Sequence, residues 1–462
     1  MPDEAPGAPG ASALSRDPDV RRAHARDASG LEMMPEAVAR PRSADEVVAL
    51  LRRATAERTP VTAAGGQSST TAASITDRGL LLSLRAMDRI LDVDPTARTA
   101  RVEPGAFVGD LKRAAAEFGL SFAPDPTSEE ESTIGGAVAC NASGARTLRY
   151  GPTRAHVRGL TVALATGELI ELRRRPMEKN TVGYAMAHDP VDWFIGSEGT
   201  LGVVVEAEVS LVRRPEHVLG LALPFAGEKE ALAFVVAARE AAGLAPRCLE
   251  FFDAKAFAIV REAAADPGWA SGAGALVYLE DDTDEPPLER WLALAEAHDA
   301  LVADTRAYEG EGPLREARRL RHAVPAHMNE RGAGFRQAGG RKVSTDWAVP
   351  YASLADTIAF ARRAADAAGI EQAVTYGHAG NGHPHQNFIA RDAAELARID
   401  AVVEETLRHV ISLGGTVAAE HGVGKIKRKW IGLQLSAIQV AAMRALKREL
   451  DPLGLMAPGN VL

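Results

Sequence analysis

The chain has 462 residues, of which 46% are hydrophobic, 25% charged and 5% aromatic, a make-up that excludes disorder as its main state. Its formal net charge of -9 excludes a sequence-independent grip on nucleic acid, which needs a basic face to displace counterions. The two cysteines, Cys140 and Cys248, are too far apart for a C-x-x-C pair, which argues against a disulfide framework or a zinc knuckle and fits a reducing compartment.

At roughly 100 to 200 residues per domain, this length predicts two or three domains. No apolar run approaches the ~18 residues of a membrane span. The start MPDEAPGAPG carries acid and proline where a signal peptide needs a basic region and an apolar core. A cytoplasmic protein is expected, with peripheral contact at a membrane left open.

Residues 1–29 read as a flexible tail, rich at first in Pro, Gly and Ala. Ser43 and Glu46 form a capping-box pattern ahead of Val47, Leu50, Leu51 and Ala54 at helical spacing, which predicts a helix ending near Glu57. A short strand at 60–62, a glycine turn and a strand over 80–84 follow. Asp94-Pro95-Thr96 between two β-rich runs predicts a hairpin, and residues 108–118 predict a helix closed by Gly119. Val203, Val205, Ala207, Val209 and Leu211 alternate as one face of a half-buried strand. Arg213-Arg214-Pro215 breaks this pattern and marks a domain boundary.

Strands at 218–225, 248–252, 274–280 and 301–308 then alternate with helices at 228–242, 254–264 and 287–299. That succession predicts a ferredoxin-like antiparallel α+β domain. Ser353 and Asp356 announce a helix over 354–368, and a long helix over 392–412 precedes Gly414-Gly415.

Three glycine-rich elements lie in the first half. Gly65, Gly66, Gln67, Ser68 and Ser69 follow a strand, where glycines let successive N–H groups form an anion nest suited to a diphosphate. Pro124 and Asp125 lead through Thr133, Gly135 and Gly136 to Asn141, Ser143 and Gly144, a run of small residues that lets backbone pass close to a flat cofactor. Glu198, Gly199 and Gly202 lie in the third.

In the second half, His378, His383 and His385 fall within eight residues, separated by Gly and Pro. A tight turn between strands would converge them, and Glu420-His421 follows the long helix. Imidazole and carboxylate suit Zn, Mn or Fe(II), so His378, His385 and Glu420 form a candidate metal site. Gly422-Val423-Gly424-Lys425 fits neither the Rossmann fingerprint nor a P-loop, because Lys427, Ala419 and Ile426 stand where those motifs need other residues.

From about residue 30 to the end, the sequence resembles the flavin oxidoreductases with the vanillyl-alcohol oxidase type of FAD domain. The matching branch contains glycolate oxidase, D-lactate dehydrogenase and D-2-hydroxyglutarate dehydrogenase. The resemblance rests on P-D-P, T-I-G-G and N-A-S-G within 124–144, K-N-T-V-G-Y at 179–184, G-S-E-G-T-L-G at 196–202 and the histidine elements. It implies a fold of the α+β class. A two-subdomain FAD-binding domain of the PCMH type occupies 30–213, a substrate domain with the metal site 214–430, and a helical segment returning to the FAD domain 431–462.

The resemblance also implies FAD, held noncovalently because the Gly65 loop has no histidine or cysteine, and oxidation of a D-2-hydroxy acid to the 2-oxo acid by hydride transfer to flavin N5. It makes His378, His385 and Glu420 the ligands of a divalent metal and His421 the base, with Arg321 and Lys342 on the substrate carboxylate. Asn381 and His383 depart from the common pattern, which has Asp and Asn, so His383 joins either the metal or the substrate. The electron acceptor is not named by the sequence, and a homodimer is left open. Two alternatives are an alkyl-dihydroxyacetone-phosphate synthase-like flavoenzyme and a non-catalytic flavin electron-transfer module.

Overall fold

The computed structural model describes residues 14–175, 177–285 and 287–462. The chain forms two compact units: one takes the chain up to Ala142 together with Pro152–Arg214 and Glu420–Leu462, the other Ser143–Gly151 and Pro215–Ala419. The second segment of the first unit ends at Arg214, and the main segment of the second begins at Pro215. Among the described residues, no helix is long and apolar enough to cross a membrane.

In the first unit, Ser43 Oγ accepts the Glu46 N–H and opens the Ala44–Glu57 helix, as its cap pattern predicts. The helix buries Val47, Leu50, Leu51 and Ala54 in a core shared with a parallel sheet of order Ala37–Ala39, Leu80–Ser83, Val61–Ala64. A second, antiparallel sheet runs Ile90–Asp94, Thr99–Val102, Val203–Ser210, Val157–Ala163, Leu169–Arg173. These are the two α+β subdomains that the resemblance implies.

The alternation over 203–211 is not one face. A register shift opposite Thr161 and Val162 divides it, so Val203 and Val205 join the core of the parallel sheet while Ala207, Val209 and Leu211 join that of the antiparallel sheet. One strand thereby serves both subdomains.

Order also begins before residue 30. Asp17 caps a Pro18–Ala23 helix through the N–H groups of Asp19 and Val20, and Ser15 pairs with Val38. Residues 1–13 of the expected tail lie outside the described residues. The return to the first unit begins at Glu420 rather than 431. Glu198 there accepts the N–H groups of Val423 and Gly424 at 2.5 and 2.7 Å, and Thr71 O accepts that of Lys425 at 3.0 Å.

The second unit is built on a seven-stranded antiparallel sheet. Its order is Arg306–Glu309, Leu219–Phe225, Ala275–Asp281, Pro246–Asp253, Gln372–His378, His383–Asp392, Gly339–Ser344. The sheet is broader than the ferredoxin-like expectation because the last three strands extend it. The strand expected over 301–308 shortens to Arg306–Glu309, since Leu301 to Thr305 close a 3-10 turn at Val302–Asp304.

Ser353 does not cap its helix through its side chain; its carbonyl accepts Thr357 Oγ1 at 2.7 Å. The 23-residue helix Glu311–Ala333 has no counterpart in the sequence reading, because Pro325 inside it and its many charges mask the apolar stripe of Leu314, Ala317, Leu320, Val324 and Met328.

Ser143–Gly151 belongs to the second unit through buried charge. Glu280 accepts Arg146 Nε at 3.1 Å, Arg247 Nε at 2.6 Å and Tyr278 Oη at 3.0 Å, and Tyr150 Oη donates to Asp282. Burial alone would raise the Glu280 pKa, but the two guanidiniums outweigh it and hold the carboxyl below its usual range. Its stabilisation is present above the unfolded carboxylate value of about 4.3 and is lost as pH falls toward the folded one. Glu280→Ala should cost about 3–5 kcal/mol, because it strands two buried cations. Urea unfolding at pH 7 checks this, and the gap between variant and parent should narrow below pH 4 (roughly the unfolded value).

Candidate active site

The Gly65 loop is shaped by close chain contact. A Cβ on Gly65 would sit 2.2 Å from Thr133 Oγ1 and one on Gly66 1.8 Å from Glu131 O, so only glycine lets the loop lie on the 131–133 segment. Gln67 takes φ 57°, and its side chain turns to the carbonyls of His24 and Arg26, 3.0 and 3.1 Å away. Ser68 Oγ meets Ser132 Oγ at 3.0 Å, and Ser69 Oγ accepts the N–H groups of Thr71 and Ala73. The side chains thus fix the loop instead of reaching for a ligand. The backbone N–H groups of Gly66 to Thr70 donate to nothing among the described residues, which is the cradle a diphosphate fits.

The second glycine element opens the Ile134–Cys140 helix. Thr133 caps it through the Gly136 N–H at 3.3 Å, and a Cβ on Gly135 would meet Pro104 at 2.6 Å. Asn141 ends it in the left-handed region at φ 51° and accepts the Arg154 N–H at 2.9 Å. Pro124 is buried and Asp125 half-buried in the irregular chain before this helix. In the third element, Gly199 has φ +75°, and a Cβ on Gly202 would meet Val162 at 2.7 Å. The Glu198 carboxylate is committed to Val423 and Gly424, so it holds the returning chain. Ser143 and Gly144 lie in the second unit, where the Gly144 N–H bonds Thr147 Oγ1 at 3.0 Å.

In the second unit, Gln372–His378 and His383–Asp392 form the hairpin that the Gly and Pro spacing calls for, joined through a 3-10 turn at Ala379–Asn381. Tyr376 pairs with His385 and His378 with His383, so the three histidines share one sheet face. All three are buried, with ring centroids 4.6 to 5.3 Å apart, and each has a ring nitrogen within 4.8 Å of the others.

Two carboxylates that the sequence reading missed stand against these rings, and one of them, Glu250, orients its partner. Glu250 Oε1 lies 2.6 Å from His378 Nδ1, which makes Nε2 the lone-pair nitrogen. Asp346 Oδ1 lies 3.0 Å from His383 Nε2, outside hydrogen-bond alignment. Burial would push the Glu250 pKa up, but Arg321 and His378 pull it to about 2, so it is ionised. A buried cluster of three imidazoles, with His378 Nδ1 held by a carboxylate, fits a borderline divalent metal. The missed signal was Glu250, the one charged residue inside the apolar run 248–252.

Arg321 Nε donates to Glu250 Oε2 at 2.6 Å, so this cation is partly neutralised by a partner that its sequence context did not reveal. Lys342 Nζ donates to Asn329 Oδ1 at 2.8 Å. In the first unit, His421 Nε2 lies 3.1 Å from Glu420 Oε1.

Residues 35–173 match the FAD binding domain model, and residues 214–461 match the C-terminal domain of FAD linked oxidases. The chain belongs to the FAD-linked oxidases. This FAD-linked oxidase is 34% identical over 438 residues to the glycolate oxidase subunit GlcD of Bacillus subtilis (strain 168), covering 93% of this chain and 89% of that one. It is 33% identical to a D-2-hydroxyglutarate dehydrogenase of Xanthomonas citri pv. viticola (92% and 89% covered). Identity to a D-lactate dehydrogenase of Archaeoglobus fulgidus is 31% (92% and 91% covered). A solved alkyldihydroxyacetonephosphate synthase superposes with a TM-score of 0.72 at 18% identity, covering 96% of this chain and 82% of that one; the likeness is of fold.

As an FAD-linked oxidase, the chain has an FAD binding domain that includes the Gly65 loop and the Ile134–Cys140 helix. Asn460 Nδ2 donates to Ala73 O at 2.8 Å, and Lys425 Nζ to Ala72 O at 3.1 Å, so the C-terminal segment secures the far end of that loop. Sequence reasoning gave neither residue a role.

Proposed function

We propose that this FAD-linked oxidase oxidises D-2-hydroxy acids of the lactate, glycolate or 2-hydroxyglutarate type to 2-oxo acids, with a divalent metal held by His378, His385 and Glu420. The observation that carries this reading is the buried histidine hairpin with His378 Nδ1 set by Glu250. The relatives named as glycolate oxidase subunit, D-lactate dehydrogenase and D-2-hydroxyglutarate dehydrogenase support it. When bound, the metal supplies polarisation of the substrate hydroxyl and FAD supplies the hydride acceptor at N5.

His421 takes the hydroxyl proton as general base. Arg321 and Lys342 supply positive charge for the substrate carboxylate, Glu250 offsetting part of it at Arg321. His383, backed by Asp346, adds a third imidazole next to His378 and His385. Anaerobic mixing with a panel of D- and L-2-hydroxy acids tests the reading through the flavin absorbance. Bleaching by D-acids is expected, and bleaching by none of the panel overturns the substrate class.

The flavin is held noncovalently, so acid precipitation should leave the yellow colour in the supernatant; colour retained in the pellet contradicts this. Lys342 yields a second expectation. Burial lowers its amine to about 8, so above that pH the cation is lost and its attraction for a carboxylate with it. KM should rise several-fold between pH 8 and 9.5 (about the span of one titration). Lys342→Arg should flatten this rise, because guanidinium stays charged; a parent-like profile in that variant excludes Lys342 as the titrating group.

A further inference from the structure

We propose that Glu250 is the positioning residue that couples metal capture to binding of the substrate carboxylate, one oxygen holding His378 in its metal-ready tautomer and the other holding Arg321. The proposal rests on the metal reading given under Proposed function. Glu250 is fully buried between Leu249 and Phe251, a setting in which a carboxylate persists only when both oxygens are bonded. Oε1 meets His378 Nδ1 at 2.6 Å, and Oε2 accepts Arg321 Nε at 2.6 Å. The two partners come from different elements, the Gln372–His378 strand and the Glu311–Ala333 helix, and this single carboxylate sets the position of both.

An amide of the same shape cannot do both. With its oxygen toward His378, its NH2 faces the Arg321 N–H, donor against donor. With its oxygen toward Arg321, its NH2 faces His378 Nδ1, which must then accept. The imidazole proton moves to Nε2 and that nitrogen can no longer ligate a metal. Glu250→Gln therefore weakens metal binding, raises KM, or does both, without touching FAD.

Zinc affinity of the FAD-loaded protein, read by competition with a chromophoric chelator, tests this in the parent, His378→Ala, Arg321→Met and the double variant Arg321→Met/Glu250→Gln. The double variant removes both buried charges, so no unpaired cation threatens folding. Arg321→Met raises KM; because it also frees Glu250 Oε2 and removes an Nη2 that lies 3.3 Å from His378 Nδ1, its zinc affinity is the baseline for the next step. Adding Glu250→Gln should then weaken zinc about 10- to 100-fold at unchanged FAD content.

Equal zinc affinity in these two variants, with zinc lost from His378→Ala, overturns the role of Glu250 and leaves the metal reading standing. Parent-like zinc affinity in His378→Ala overturns the metal reading, and this proposal with it. Glu250→Asp keeps the charge but withdraws it from His378 by one methylene. It should weaken zinc in the same range with the thermal melt retained, and parent-like zinc affinity there also counts against Glu250.

Discussion

His378→Ala is expected to lose its divalent metal and to reduce its flavin on the order of 10³-fold more slowly with a D-2-hydroxy acid, while still carrying FAD. The size follows from the several kcal/mol that Lewis-acid polarisation contributes to the transition state, each 1.36 kcal/mol being about tenfold in rate. FAD should stay because the Gly66 to Thr70 cradle lies in the first unit and His378 in the second. Elemental analysis gives the metal content, and anaerobic stopped-flow bleaching gives the rate. A variant that keeps its metal and bleaches at the parent rate removes His378 from the site.

His421→Ala should keep both metal and FAD and still slow flavin reduction about 10²- to 10⁴-fold, the usual effect of removing a general base. Its neighbour should fail differently: Glu420→Gln is expected to lower bound metal. Glu420 and His421 adjoin in sequence, and their side chains lie 3.1 Å apart, so a mere packing defect would affect both variants alike. Metal content paired with single-turnover bleaching separates the two roles. If His421→Ala reduces flavin normally, His383 is the next candidate, since Asp346 stands 3.0 Å from its Nε2 and would balance the charge of an added proton.

The elements whose apolar period is clean were legible in the chain itself. The Ala44–Glu57 helix, the strand after Gly65-Gly66 and the 228–300 alternation of helices and strands fall within a few residues of their expected places. The Glu311–Ala333 helix was not legible, because charge and Pro325 hide a stripe that matters only once it packs on the sheet with Phe252, Tyr278 and Tyr376. The glycines were expected beside a cofactor; the structure gives Gly65, Gly66, Gly135 and Gly202 another reason, because each lies where one stretch of backbone or side chain crosses another. A sequence shows that a side chain is missing; it does not show what would have occupied the space.

By itself, the sequence determined the glycine-rich segments of the FAD binding domain and the placing of His378, His383 and His385 within one short stretch, since each is encoded in neighbouring residues whose spacing dictates local geometry. Tertiary structure alone decided that Glu250 lies against His378 and Arg321, 128 and 71 residues away along the chain, that Glu198 holds the returning segment, and that Asp346 faces His383. Such partners depend on strand register and helix docking, and a register slip of one residue would turn Glu250 to the opposite face of the sheet.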